Sequence, residues 1–290
     1  RTWGFPTGSF SFSVVDISDP TNPWVVASLL DNQDQLGGLD MAIQGSYAYL
    51  VGDRLNSTGF AIHLNMCDLF LLRVVSIFDP TNPVIVHTMQ LPNATLADNE
   101  CSTSSGITIV DDYAYVVGSF GLAVVDISDP TDPVIAWLGL KPALSQYRYN
   151  GITILGDFAY ISGVGKASYT SQCSSDGYNW YPCTNLDWGY GLTVVNISDP
   201  SSPRLTGWTH QENFEVEDLS TWAPLNLVTA NIAIVGDYAY LALQHVRRAF
   251  NVSDPSRPHR CNGGMDTSSH DDSGMVIVEG HACFATGSRW

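Results

Sequence analysis

The sequence predicts an all-β chain of four-stranded antiparallel sheets, and three observations carry that reading. One strand-and-turn phrase recurs as SVVDISDPTNP at 13–23, RVVSIFDPTNP at 73–83, AVVDISDPTDP at 123–133, TVVNISDPSSP at 193–203 and RAFNVSDPSRP at 248–258. A second phrase alternates with it: MAIQGSYAYLVG from Met41, ITIVDDYAYVVG from Ile107, ITILGDFAYISG from Ile152, IAIVGDYAYLAL from Ile232 and MVIVEGHACFATG from Met275. The strand-and-turn phrase returns every 50 to 70 residues, the mark of a chain assembled from one supersecondary unit.

Strands one and two come from the second phrase. Runs of β-branched and aromatic residues are broken at Gly-Asp, Asp-Asp or Gly-Ser, steps that suit a two-residue hairpin. Strand three is the GLAVVDIS run, apolar at both parities: Leu122 and Val124 on one face, Ala123, Val125 and Ile127 on the other. A strand apolar on both faces belongs to a sheet covered on both sides. Strand four (PVIAWLGL) follows an Asp-Pro corner, where Asp129 can accept hydrogen bonds from its own turn and Pro130 fixes φ. Sheets packed face to face around an axis satisfy all of this, so the expected architecture is a β-propeller. Residues 1–23 hold only the second half of a unit and 275–290 only the first. The expectation is therefore five blades, the fifth closed by the two termini, or six or seven in a longer chain. Blades are placed at 38–90, 106–140, 151–209 and 231–260, with 274–290 completed by 1–30, in a single domain over 1–290.

These phrases resemble the LVIVD-repeat family, whose strand and turn read GLxVVDISDPxxP and whose hairpin reads GDYAYV. The likeness is clearest from Gly121 to Pro133 and weakest where Arg248-Ala249-Phe250-Asn251 replaces the usual strand. It implies a propeller-like, largely extracellular or surface-associated protein and specifies no activity, so function rests on the site.

Composition narrows the classes. The chain of 290 residues is 44% apolar, enough for a sizeable core. Twelve basic residues against 29 acidic give a net charge of −17, a field that repels nucleic acid and anionic membranes. No apolar run approaches the roughly 18 residues of a spanning helix. The sequence shows no leader, as a mature exported chain would not. Six cysteines, an even number, and sequons at Asn56, Asn93, Asn196 and Asn251 point to a secreted, disulfide-bearing glycoprotein. Cys173 and Cys183 lie close enough in sequence to staple one insertion; Cys67 with Cys101 and Cys261 with Cys283 are the remaining pairing read here, although spacing does not fix connectivity. Asn196 and Asn251 belong to the repeat, where Asn replaces the Asp of Asp16 and Asp126. Asn56 and Asn93 lie in insertions independent of it.

In a meander, the one-to-two and three-to-four turns share one face, and the two-to-three and inter-blade loops share the other. The first set is minimal. All the extra length falls in the second: 53–72, 164–190, 91–105 and 210–230. That loop-rich face carries Tyr178, Trp180, Tyr181, Trp188, Tyr190, Phe214 and Trp222. Such side chains suit stacking on sugars or packing against a protein partner, and serve equally as small cores for long loops.

Catalysis finds little support. Five-bladed propellers include glycosidases, which need two carboxylates, yet the starts of the first strands read Asp40, Gly106, Gly151, Asn231 and Gly274. Glu100 and Glu212 are the loop acids that could serve beside Asp40. No nucleophile elbow, P-loop, dinucleotide fingerprint or zinc motif occurs. His259, His270 and His281 lack ligand spacing. The run 212–218 and Asp266, Asp271 and Asp272 could attract Ca²⁺ but have no calcium-loop spacing. No cofactor or metal site is expected. The reading is a non-catalytic extracellular structural or interaction protein, a cell-surface or filament-forming subunit docking through its loop-rich face. Its partners would be other subunits, in a homopolymer, or glycans; a carbohydrate-binding propeller is the alternative, and a glycosidase-like enzyme the weaker one.

Overall fold

The computed structural model describes residues 10–31, 35–55, 70–91, 106–118, 120–140, 146–173, 181–211, 231–243, 246–262, 265–266 and 271–287. Among these every regular element is a strand. The strands are β1 (Phe10–Asp16), β2 (Trp24–Asp31), β3 (Gln35–Gln44), β4 (Tyr47–Leu55), β5 (Phe70–Ser76), β6 (Val84–Leu91), β7 (Gly106–Val110), β8 (Tyr113–Gly118), β9 (Gly121–Asp126) and β10 (Val134–Gly139). They continue as β11 (Gln146–Leu155), β12 (Phe158–Cys173), β13 (Tyr181–Asn196), β14 (Arg204–Gln211), β15 (Asn231–Val235), β16 (Tyr238–Leu243), β17 (Val246–Asn251), β18 (His259–Arg260), β19 (Met265–Asp266), β20 (Asp271–Val278) and β21 (His281–Gly287).

Consecutive strands pair antiparallel into the predicted meanders β3–β6, β7–β10, β11–β14 and β15–β18, the last also holding β19 against β17. The partial units form two-stranded sheets, β1–β2 and β20–β21. The strands fall into two compact units, β1–β10 and β11–β21, each with its own core.

The hairpins follow the turn residues. Gly45, Asp111, Gly156, Gly236 and Glu279 take φ between 48° and 57°, the left-handed region where glycine is at no disadvantage. Asp111 and Glu279 bear that conformation without glycine's freedom. At the Asp-Pro corners, Asp129 Oδ1 accepts from the Thr131 amide at 2.9 Å and its hydroxyl at 2.7 Å. The same two bonds recur at Asp19, Asp79 and Asp254. A register shift recurs as well, between the two strands that flank the corner, at Val14/Val15, Val74/Val75, Ile135/Trp137 and Val194/Val195. Such bulges sharpen the local twist.

The third strand is the core of each sheet, as its two-faced apolarity requires: Leu122, Ala123, Val124 and Val125 are fully buried. Sheet β3–β6 packs against β7–β10 through Val51, Leu72 and Val74 on one side and Val116, Ala123 and Val125 on the other. In the second unit Tyr160, Leu192 and Val194 meet Ala239, Leu241 and Phe250. Polar contacts fix the same neighbours. Gln44 Nε2 donates to the Asp111 carbonyl at 2.8 Å, and His87 Nδ1 lies 2.9 Å from the Thr131 carbonyl. At the place in β14 that matches His87, Gly207 lets the 254–258 turn approach; a Cβ there would sit 2.4 Å from the Pro255 carbonyl oxygen.

Candidate functional site

Ladder register confirms the positional alignment of the first strands. Asp40 faces Val51, Gly106 faces Val117, Gly151 faces Ser162, Asn231 faces Ala242 and Gly274 faces Ala285, each four residues from its hairpin. Asp40 is the sole carboxylate among them, and it is already engaged. Its Oδ1 accepts from the Met41 amide and its Oδ2 from the Ile107 amide, both at 2.9 Å. The second bond ties β3 to β7. Crowding by protein atoms pushes the Asp40 pKa up, against the lowering effect of those two amides. This carboxylate joins two sheets; chemistry needing a paired acid has no second acid at the matching positions.

The loop-rich face is described where it continues the sheets. The insertion read at 164–190 is largely regular: β12 and β13 stay paired from Phe158↔Asn196 out to Cys173↔Tyr181. Neighbouring strands stop earlier, β11 at Lys166 and β14 at Tyr190. Beyond them 167–173 pair with 181–187 as a two-stranded arm. Cys183 stands opposite Ser171 and Cys173 opposite Tyr181, so the two cysteines are diagonal neighbours in register. Tyr181 lies on the arm, and Trp188, opposite Lys166, at its base.

Tyr190, expected among the binding aromatics, belongs to the core. It is 2% exposed, stands edge-on to Phe250 with centroids 6.5 Å apart, and its hydroxyl accepts from Arg248 Nε at 2.9 Å. The guanidinium carbon is 5.7 Å from the ring centroid, within cation–π range. Repeat alignment carried the signal: Tyr190 matches Phe70 and Phe120, which are also buried and in edge contact at 5.1 Å.

Cys261 and Cys283, read as a pair, are free thiols. They belong to different sheets: Cys261 follows the outer strand β18, its amide bonded to the Ala249 carbonyl, while Cys283 is in β21. At the in-repeat sequons, Asn196 Oδ1 accepts from the Ser198 amide at 3.0 Å and hydroxyl at 2.7 Å, and Asn251 does the same with Ser253. Asp16 and Asp126 receive the matching amides of Ser18 and Ser128. These asparagines are turn caps in the place of aspartates. Asn56, Asn93, Cys67, Cys101, Tyr178, Trp180, Phe214, Trp222, Glu100, Glu212, His270 and the run 212–218 lie outside the described residues.

His259 and His281 are exposed, each ring nitrogen near a carbonyl two residues back. Among the described residues no three His, Cys, Asp or Glu side chains gather as metal ligands. Burial pushes the phenols of Tyr49 and Tyr115 up to about 12, far from a general base near neutrality. Among the described residues no helix is long and apolar enough to cross a membrane.

Comparison with known proteins adds the repeat. A family model described as LVIVD repeat matches residues 9–31, 103–137, 186–209 and 228–260. No curated protein matches. Similar solved structures include the N-terminal domain of Nup159, 10% identical, covering 95% of this chain and 68% of that one, with a TM-score of 0.43. Another is an S. cerevisiae complex of a Dbp5 variant bound to Nup159, a Gle1 variant, IP6 and ADP. It is 9% identical over 87% of this chain and 70% of that one, with a TM-score of 0.29. Both scores are too low to assign a fold.

Proposed function

We propose, from the premise that this is an LVIVD-repeat chain, that it is a non-catalytic extracellular subunit of a filament or cell surface. The fold belonging to that reading is a five-bladed propeller whose fifth sheet is built from the terminal halves. The loop-rich face, with its glycans and disulfides, is its docking surface. The observation that carries the reading is asymmetry. Hairpins and corners are minimal at one end of the strands, whereas the sequence places the insertions at the other end, where 167–173 pair with 181–187 as an arm. Elaborated segments on a rigid scaffold are where binding surfaces are built, and unlike faces favour head-to-tail contact. The single carboxylate of Asp40, spent on two backbone amides, supports the absence of catalysis.

Electron microscopy of the protein in native, unfractionated form tests this. Ordered filaments are expected; dispersed particles of one chain each would overturn the filament reading. The carbohydrate-binding alternative draws on the aromatic content of the same face. A glycan array above background, with loss on Trp188→Ala, would favour it. A glycosidase would have to lose hydrolysis on Asp40→Asn.

A further inference from the structure

The dipeptide Asn-Gly occurs twice in the chain, at Asn150-Gly151 and at Asn262-Gly263. In such a pair the main-chain nitrogen of the glycine can attack the side-chain amide of the asparagine, because no Cβ on the glycine stands in the way. Whether it does so depends on how the backbone is held.

Asn150-Gly151 is held firmly. Both residues lie within β11, and the residues on either side of Asn150 are in the ladder, Tyr149 opposite Gly163 and Gly151 opposite Ser162. The Ser162 hydroxyl donates to the Gly151 carbonyl at 3.4 Å, and Asn150 is only 4% exposed. Bringing its side-chain carbon onto the next nitrogen requires rotation of a backbone pinned at both ends, so β11 must first open.

Asn262-Gly263 stands in the opposite situation. Asn262 is exposed and lies in a bend past the end of β18. Register along β17 explains the bend. β18 pairs as Phe250↔Arg260 and β19 as Arg247↔Met265, so residues 261–264 span a stretch of β17 only two residues long, Arg248 and Ala249. A surplus of that size is not absorbed by ladder pairing. The Cys261 amide still donates to the Ala249 carbonyl at 2.9 Å, and Asn262 is the next residue.

We propose that Asn262 is a site of spontaneous deamidation, a modification that the fold permits there and blocks at Asn150. The Gly263 nitrogen gives its proton to solvent base and bonds to Asn262 Cγ. The Cγ–Nδ2 bond breaks, ammonia leaves, and a cyclic succinimide remains. Water then adds to one of the two ring carbonyls and opens the ring, to aspartate or, when it attacks the main-chain carbonyl, to isoaspartate. One water is consumed and one ammonia released, with no change of oxidation state. Each event adds a negative charge at neutral pH to a chain that already carries −17, and the isoaspartyl product also inserts a carbon into the main chain.

The test holds wild-type protein at physiological temperature in mildly alkaline buffer, native in one series and unfolded in urea in the other. Samples taken over days are digested and read by mass spectrometry, with chromatography separating isoaspartyl from aspartyl peptides. In native protein the Asn262 peptide should convert from amide to acid at least about ten-fold faster than the Asn150 peptide, which waits on local opening of β11. In urea the two rates should converge. Gly263→Ala should slow the native reaction at position 262 several-fold, since it puts a Cβ beside the attacking nitrogen. Equal rates at the two sites in native protein would overturn the proposal, as would an Asn262 that reacts in urea and stays intact in the native chain.

Discussion

Replacing Asp40 with Asn separates a structural carboxylate from a catalytic one. Asp40 offers one oxygen to the Met41 amide and the other to the Ile107 amide. Asn keeps a single acceptor and turns an NH₂ toward the second amide. Leaving the donor of buried Ile107 without an acceptor costs about 1–3 kcal/mol. Asp40 is itself exposed, so water takes up part of that loss. The net loss should be about 1 kcal/mol at pH 7, or about 2 °C in Tm. The pH dependence follows from linkage. A folded pKa above the ordinary 3.8 means that the stability due to the neutral form is fully present below 3.8 and is lost as pH rises through the folded value. Asn does not titrate, so the stability gap between wild type and Asp40→Asn should widen as pH falls from about 7 toward 4. Aspartates common to both proteins cancel in this difference. Urea unfolding of each at both pH values, with unchanged m, measures it. A gap that stays flat or narrows on acidification would refute the reasoning.

Gly207→Ala should cost about 1–3 kcal/mol, because the new Cβ meets the Pro255 carbonyl oxygen and Pro258 rather than a movable side-chain end. An unchanged thermal midpoint would disprove that contact. Asn196→Asp with Asn251→Asp should leave the midpoint unchanged, since Asp16 and Asp126 hold their turns through the same amide, while intact mass loses any glycan at those sites. Asp16, Asp19, Asp79, Asp126, Asp129 and Asp254 have pKa values lowered by hydrogen bonds from Ser or Thr two residues on. Their contribution is present above the ordinary aspartate value and lost as pH falls through the lower folded values. Acid unfolding followed by circular dichroism should therefore show a shallower loss below about pH 4 in Asp129→Asn than in wild type.

Much of the fold was legible because each strand repeats a local rule. The Asp-Pro corner, the left-handed hairpin residue and the two-faced third strand each follow from residues within a few positions, and register then placed Asp40, Gly106, Gly151, Asn231 and Gly274 in step. Site roles were harder to read, because they depend on contacts distant in sequence. Tyr190 looked like a loop aromatic until Arg248 and Phe250, about 60 residues on, closed over it. Asp40 looked like a lone acid until the Ile107 amide, 67 residues away, took its second oxygen. The 164–190 insertion reads as a loop from its Ser, Tyr and Gly content, yet ladder pairing carries the strands outward.

The consecutive pairing of strands also sets an order in time. Each complete sheet draws its strands from one continuous stretch of chain, so it can form while later residues are still being synthesised. Local closure of that kind keeps the entropy of long-range pairing out of the early steps.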